Sequence, residues 1–153
     1  MKILLETSTL VAAMLPEHAH HTPAVAWLSF AKAEACGYFV AAHSTAECFS
    51  VLTRLPRKPK IAPAEARELL EANVFSCAEL LTLPASDYVR IIRGLDWKGL
   101  AGAIVHDAVI AQAAENADVE RLVTLNPKHF LKVWNGDPSR IVSPLDEPPP
   151  ARL

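Results

Sequence analysis

Short apolar runs alternate with longer stretches of mixed polarity along this chain. The first run, residues 2–5, is apolar after its lysine and suits a central parallel strand buried on both faces. Runs at 38–42, 76–83, 121–125 and 140–143 predict four more strands. Between them lie helical segments whose ends are marked by Ser, Thr, Pro and Gly. Thr7, Ser8 and Thr9 can cap a helix that begins at Leu10 and ends by Pro16. Pro23 opens the next, through Ala33, with Gly37 ending the connection that follows. Ser44 or Thr45 caps a third helix, stopped by Pro56; Pro63 starts a fourth, through Glu71; Ser86 caps a fifth, to about Leu95. Residues 103–115 form the most apolar helix of the set. The tail, 146–153, contains Pro148, Pro149 and Pro150 and reads as flexible or extended.

Strands alternating with helices at this spacing predict a three-layer α/β/α sandwich around a mostly parallel central sheet. The chain has 153 residues, enough for one domain with a proper core, placed here at 1–145. In open sheets of this kind, sites form beyond the carboxyl ends of the strands. Glu6 and Asn126 fall directly beyond strands, Glu47 lies in the helix after another, and Asp107 sits one turn into a helix. Their common placement is the structural reason to join them. A cluster of carboxylates is unfavourable unless a positive group sits among them. Hard oxygen ligands favour Mg²⁺ or Mn²⁺ in that role.

Composition changes the picture only at its margins. Hydrophobic residues make up 51% and charged residues 21%, a globular balance. Lys and Arg number 15 against 17 Asp and Glu, so bulk charge selects no partner and any nucleic-acid contact must be local. Arg54, Arg57, Lys58 and Lys60 form the one basic run, which reads equally as an RNA-phosphate contact or as a solvated linker. Cys36, Cys48 and Cys77 lack CxxC spacing, which disfavours a zinc thiolate site and reads as free buried thiols in a reducing compartment. There is no signal-peptide pattern, and no apolar run reaches the roughly 18 residues of a membrane span. These features predict a cytoplasmic protein. His18, His20 and His21 lie in a loop without metal-ligand spacing and read as solvated; His106 reads as a packing residue on a different side of its helix from Asp107. Trp27, Phe30 and Trp97 read as core or subunit contacts, with base stacking the sharper alternative for Trp97.

Four stretches together resemble a known family. They are Glu6-Thr7-Ser8 after the opening strand, Ala46-Glu47-Cys48-Phe49-Ser50 and its continuation to Pro56, Gly99 through Ala108 with Val105-His106-Asp107, and Val123-Thr124-Leu125-Asn126-Pro127-Lys128-His129-Phe130. In this order, over residues 1–143, they resemble PIN-domain ribonucleases, and most closely the VapC-like toxins of prokaryotic toxin–antitoxin pairs. The family's acidic quartet maps onto Glu6, Glu47, Asp107 and the segment 126–129. Two positions depart from it. The family usually has Asp where this chain has Glu6, and a further Asp is common where Asn126 or His129 stands here.

The resemblance implies a metal-dependent endoribonuclease that hydrolyses RNA phosphodiester bonds. Its homodimer would be wrapped and blocked by a small VapB-like antitoxin. One or two Mg²⁺ or Mn²⁺ ions would polarise the scissile phosphate and activate a water. Glu47 and Asp107 would hold the principal ion with Glu6 reaching toward it. Asn126 would hold a water on the metal or orient Glu6, and Thr7 and Thr124 would hydrogen-bond the carboxylates. The extra methylene of Glu6 implies slower cleavage than Asp would give. A groove for an antitoxin helix is expected near helices 24–33 and 65–71. The alternative is a PIN-fold RNA- or protein-binding module with weakened catalysis; a DNA nuclease on the same fold is a third reading.

Overall fold

The computed structural model describes residues 1–33 and 37–151. The chain folds as β1 (Ile3–Leu5), α1 (Thr7–Met14), α2 (His21–Ala33), β2 (Tyr38–Ala41), α3 (Ala42–Arg54), α4 (Pro63–Leu70), β3 (Glu79–Leu81), α5 (Ala85–Lys98), α6 (Ile104–Asn116), β4 (Arg121–Val123), α7 (Pro127–Leu131) and β5 (Ile141–Val142). The sheet order is β3-β2-β1-β4-β5, and every pairing among the described strands is parallel. All five expected strands are present, each shorter than its apolar run.

Alternation along β1, β2, β4 and β5 builds the layers, while β3 is an exposed edge. Ile3, Leu5, Val40, Val123 and Val142 face one core with residues of α1, α2, α3 and α4. Leu4, Phe39, Ala41, Leu122 and Ile141 face the other with residues of α5, α6 and α7. The chain steps one way from β1 to β3, then returns past β1 to β4 and β5. Right-handed crossovers taken in opposite directions place their helices on opposite faces, which yields the three-layer sandwich. The reversal lies between β1 and β4, whose connections leave on opposite sides. Their carboxyl ends therefore frame a crevice.

Helix starts differ from the sequence reading. Glu6 itself is the N-cap residue of α1, extended at φ −83° and ψ 163°, and its carbonyl accepts the first helical bond from Leu10 N at 3.0 Å. Thr7–Thr9 are inside the helix, not capping it. Helix α3 likewise begins at Ala42, so Ser44 and Thr45 lie within its first turn, where Thr45 Oγ1 donates back to the Ala42 carbonyl at 2.7 Å. Pro84, not Ser86, precedes α5. That helix ends at Gly99, whose φ of 66° is a left-handed cap that glycine adopts without a Cβ clash.

Several side chains also depart from expectation. Trp97 is on the last turn of α5 and 91% exposed, so it is no core residue, whereas Trp27 and Phe30 are buried. Cys48 is buried and Cys77 exposed, both as free thiols; Cys36 lies outside the described residues. In the tail, the Glu147 carbonyl accepts a bond from the Trp27 indole N–H at 2.8 Å. No helix among the described residues is long and apolar enough to cross a membrane.

Candidate active site

The crevice between β1 and β4 is lined by the residues that follow those strands. Glu6 follows β1 directly and is only 4% exposed. Its Oε2 accepts bonds from Ser8 Oγ at 2.5 Å and Thr124 Oγ1 at 2.8 Å. Thr124 follows β4 and is fully buried. Two backbone amides complete this hydroxyl cluster: Leu125 N donates to Ser8 Oγ and Asn126 N to Thr124 Oγ1, both at 3.0 Å. The first turn of α1 and the turn after β4 are thus tied together around one carboxylate.

Glu47, one turn into α3, accepts a bond at Oε1 from Thr7 Oγ1 at 3.0 Å. Asp107, in the first turn of α6, enters from the opposite helical layer, and its Oδ2 lies 3.7 Å from His129 Nδ1. The charges of the three carboxylates act on one another. Burial pushes the Glu6 carboxyl up to about 7; the hydroxyls of Ser8 and Thr124 oppose that rise and the Asp107 charge adds to it. Asp107 is raised from the usual carboxylate range by burial and by Glu47, with His129 and His106 opposing. The Cys48 thiol, behind Glu6 and Glu47, is raised by burial and by both their charges.

The structure therefore brings Glu6, Glu47 and Asp107 together from three elements. Asn126 is exposed at the N-cap of α7 and touches the cluster through its backbone N–H; the donors on Glu6 are Ser8 and Thr124. Of the basic run, Arg54 lines an open depression of about 370 Å³ beside Glu47 and His106. Arg57 is held by Glu17 through a bond of 2.5 Å, and Lys58 is exposed.

His106 is not the packing residue that its place beside Asp107 suggested. It is exposed, and its Nδ1 lies 2.8 Å from His43 Nε2. His43 and Ser8 are the two side chains the sequence reading passed over. Ser8 carries a usable signal, a hydroxyl two residues after a strand-end carboxylate. His43 carries only its i,i+4 spacing to Glu47. His18, His20 and His21 are bound locally, with His21 Nδ1 at 2.9 Å from the Ala12 carbonyl.

A divalent cation fits this donor set. Three carboxylates supply hard oxygens; Glu6 is buried and held by Ser8 and Thr124, its charge is opposed by that of Asp107, and Asp107's by that of Glu47. Such a cluster is relieved by an ion among the oxygens.

Comparison with known proteins agrees with this geometry, although no family model matches the chain. The chain is 33% identical over 113 residues to the ribonuclease VapC27 of Mycobacterium tuberculosis, covering 73% of this chain and 76% of that protein. It is 32% identical over 117 residues to ribonuclease VapC40 of the same species, covering 76% and 81%. The solved VapBC2 of Rickettsia felis, bound to a DNA fragment from its promoter, superposes with a TM-score of 0.63 at 22% identity over 94% of this chain and 98% of that one. Sequence identity spread over most of both chains, on a sheet that sets three carboxylates at its switch point, places this chain in the VapC-like PIN-domain ribonuclease family.

Proposed function

We propose that this chain is a Mg²⁺- or Mn²⁺-dependent endoribonuclease, the toxin of a type II toxin–antitoxin pair. The observation that carries the reading is the convergence of Glu6, Glu47 and Asp107 at the β1–β4 crevice, in a chain related to ribonucleases. Glu47 and Asp107 would hold the ion, with Glu6 reaching toward it. When bound, such an ion offsets negative charge developing on a phosphodiester and makes water nucleophilic at neutral pH. The chain's own residues do the rest. Ser8 and Thr124 hold Glu6 in one rotamer, and Thr7 does the same for Glu47. Arg54, at the rim, meets RNA phosphates; Arg57 is partly neutralised by Glu17 and contributes less, with Lys58 beyond it. Asn126 presents its side chain to solvent at the mouth.

The surface we assign to the antitoxin borders α4, one of the two helices expected to frame it. An open apolar groove of about 470 Å³ runs between α3 and α4, lined by Phe49, Pro63, Ala64, Leu70 and Phe75. It offers anchor positions for an amphipathic helix beside the active site, which is how a bound antitoxin shuts it. The protein acts in the cytoplasm as a homodimer.

The test is cleavage of structured RNA by purified, antitoxin-free protein with Mn²⁺, against Asp107→Asn. Loss of a ligand carboxylate lowers the rate by about 100-fold or more, in line with the cost of disturbed positioning. Absence of cleavage with Mg²⁺ or Mn²⁺, while RNA is still bound, supports the binding-module alternative and overturns the enzyme.

A further inference from the structure

We propose that His43, Glu47 and His106 form a second metal site, for a transition ion of the zinc class, that shares Glu47 with the acidic cluster. His43 and Glu47 stand four residues apart on α3 and so share one face of that helix. His106 reaches them from the first turn of α6, in the opposite layer. One ligand atom from each of the three lies within 4.8 Å of the others. His43 Nε2 and His106 Nδ1 approach to 2.8 Å, with ring planes inclined by only 13°.

Two neutral imidazoles that meet nitrogen to nitrogen share one proton, with one ring donating and the other accepting. For both nitrogens to face one metal ion, the donating ring moves that proton to its other nitrogen, a tautomer change open to a neutral imidazole. Ligand nitrogens each at about 2.0–2.1 Å from zinc stand roughly 3–3.4 Å apart around it. The rings therefore need only turn slightly off their common line to turn both lone pairs on one ion. The open depression beside Glu47 and His106 supplies an entry path and room for waters to complete the coordination.

The donor chemistry separates this site from the acidic one. Imidazole nitrogens select Zn²⁺, Ni²⁺, Co²⁺ or Cu²⁺, whereas oxygen-only sets suit Mg²⁺ and Mn²⁺. Glu47 faces both, with Oε1 already engaged by Thr7. An ion on the histidines draws Glu47 outward and weakens the inner site. On the ribonuclease reading, zinc-class ions therefore inhibit Mg²⁺-supported cleavage, and removing either histidine relieves that inhibition.

The binding itself is tested without RNA. Co²⁺ is titrated into the untagged full chain and its visible d–d absorption followed, with Zn²⁺ added as competitor. One Co²⁺ per chain with nitrogen-type bands is expected, displaced by Zn²⁺. His43→Gln and His106→Gln each weaken binding at least about tenfold, the lower end of what even outer-shell losses cost. Glu6→Gln, which alters only the inner site, leaves the Co²⁺ spectrum intact. Both histidines are solvent-accessible, and either variant alone gives the readout if the other fails to fold. A spectrum unchanged in the histidine variants, or no binding at 100-fold molar excess of Co²⁺, overturns the site. Because no nuclease activity is measured, its failure is distinct from failure of the ribonuclease reading.

Discussion

Glu47 divides two regions of opposite character. Inward, toward Glu6, the surroundings are dry: a nearly inaccessible carboxylate, three hydroxyls and backbone amides held in fixed bonds. Outward, toward His43 and His106, the groups are partly wet, and one hydrogen bond joins them. Burial pushes the Glu6 carboxyl from 4.5 up to about 7, while His43 and His106 remain solvent-accessible. Adjacent side chains on one crevice thus differ in kind because of water, not because of distance. The inner region is built to hold geometry and the outer one to accept what arrives.

Removing the inner hydroxyl support breaks this contrast most sharply. Thr124→Val takes a hydrogen bond from the charged form of Glu6 and leaves its carboxylate held by Ser8 alone. Metal-supported RNA cleavage is expected to fall by about 10–100-fold, the usual cost of losing an outer-shell partner. An unchanged rate, with metal affinity also unchanged, shows that Thr124 does not position Glu6.

A smaller effect follows from shortening the side chain. Glu6→Asp restores the residue usual in the family and is expected to raise metal-dependent cleavage several-fold, since misplacement by about 1 Å carries large rate costs. Equal single-turnover rates for the two proteins exclude a length penalty at this position.

The mildest effect is on stability without metal. Glu6 in the folded chain titrates near 7 and in the unfolded chain near 4.5. Below pH 4.5 both states carry the proton and no charge is buried. As pH rises through the interval to 7 the unfolded state ionises first, so the folded state loses stability, with the loss complete above pH 7. Melting temperatures in EDTA should therefore fall from pH 5 to pH 8 more steeply for the wild type than for Glu6→Gln, by a few degrees at roughly 2–4 °C per kcal/mol. Parallel slopes in the two proteins show that Glu6 is not buried in charged form.

Much of the fold was legible because it depends on local pattern. Apolar runs of strand length separated by helix-length stretches mark an α/β sandwich, and the alternation of β1, β2, β4 and β5 serves both cores. Helix starts were less legible. Hydroxyl residues at 7–9 and 44–45 look like caps, yet their side chains serve the site or the first turn instead. The short helix α7 after Asn126 was not anticipated, since five residues carry too little periodicity.

Sequence alone singled out Glu6, because a charged residue at the end of an apolar strand is an anomaly visible without coordinates; Glu47 and Asp107 came with the family resemblance. Sequence also determined the layer architecture, through periodicity that backbone geometry makes local. Only the tertiary structure decided which hydroxyls hold Glu6, that Asp107 faces His129, and that His43 meets His106 across 63 positions of chain. Those contacts arise where residues from separate elements meet beyond the carboxyl ends of the strands. Their relative placement is set by the packing of the whole core, and no local pattern encodes it.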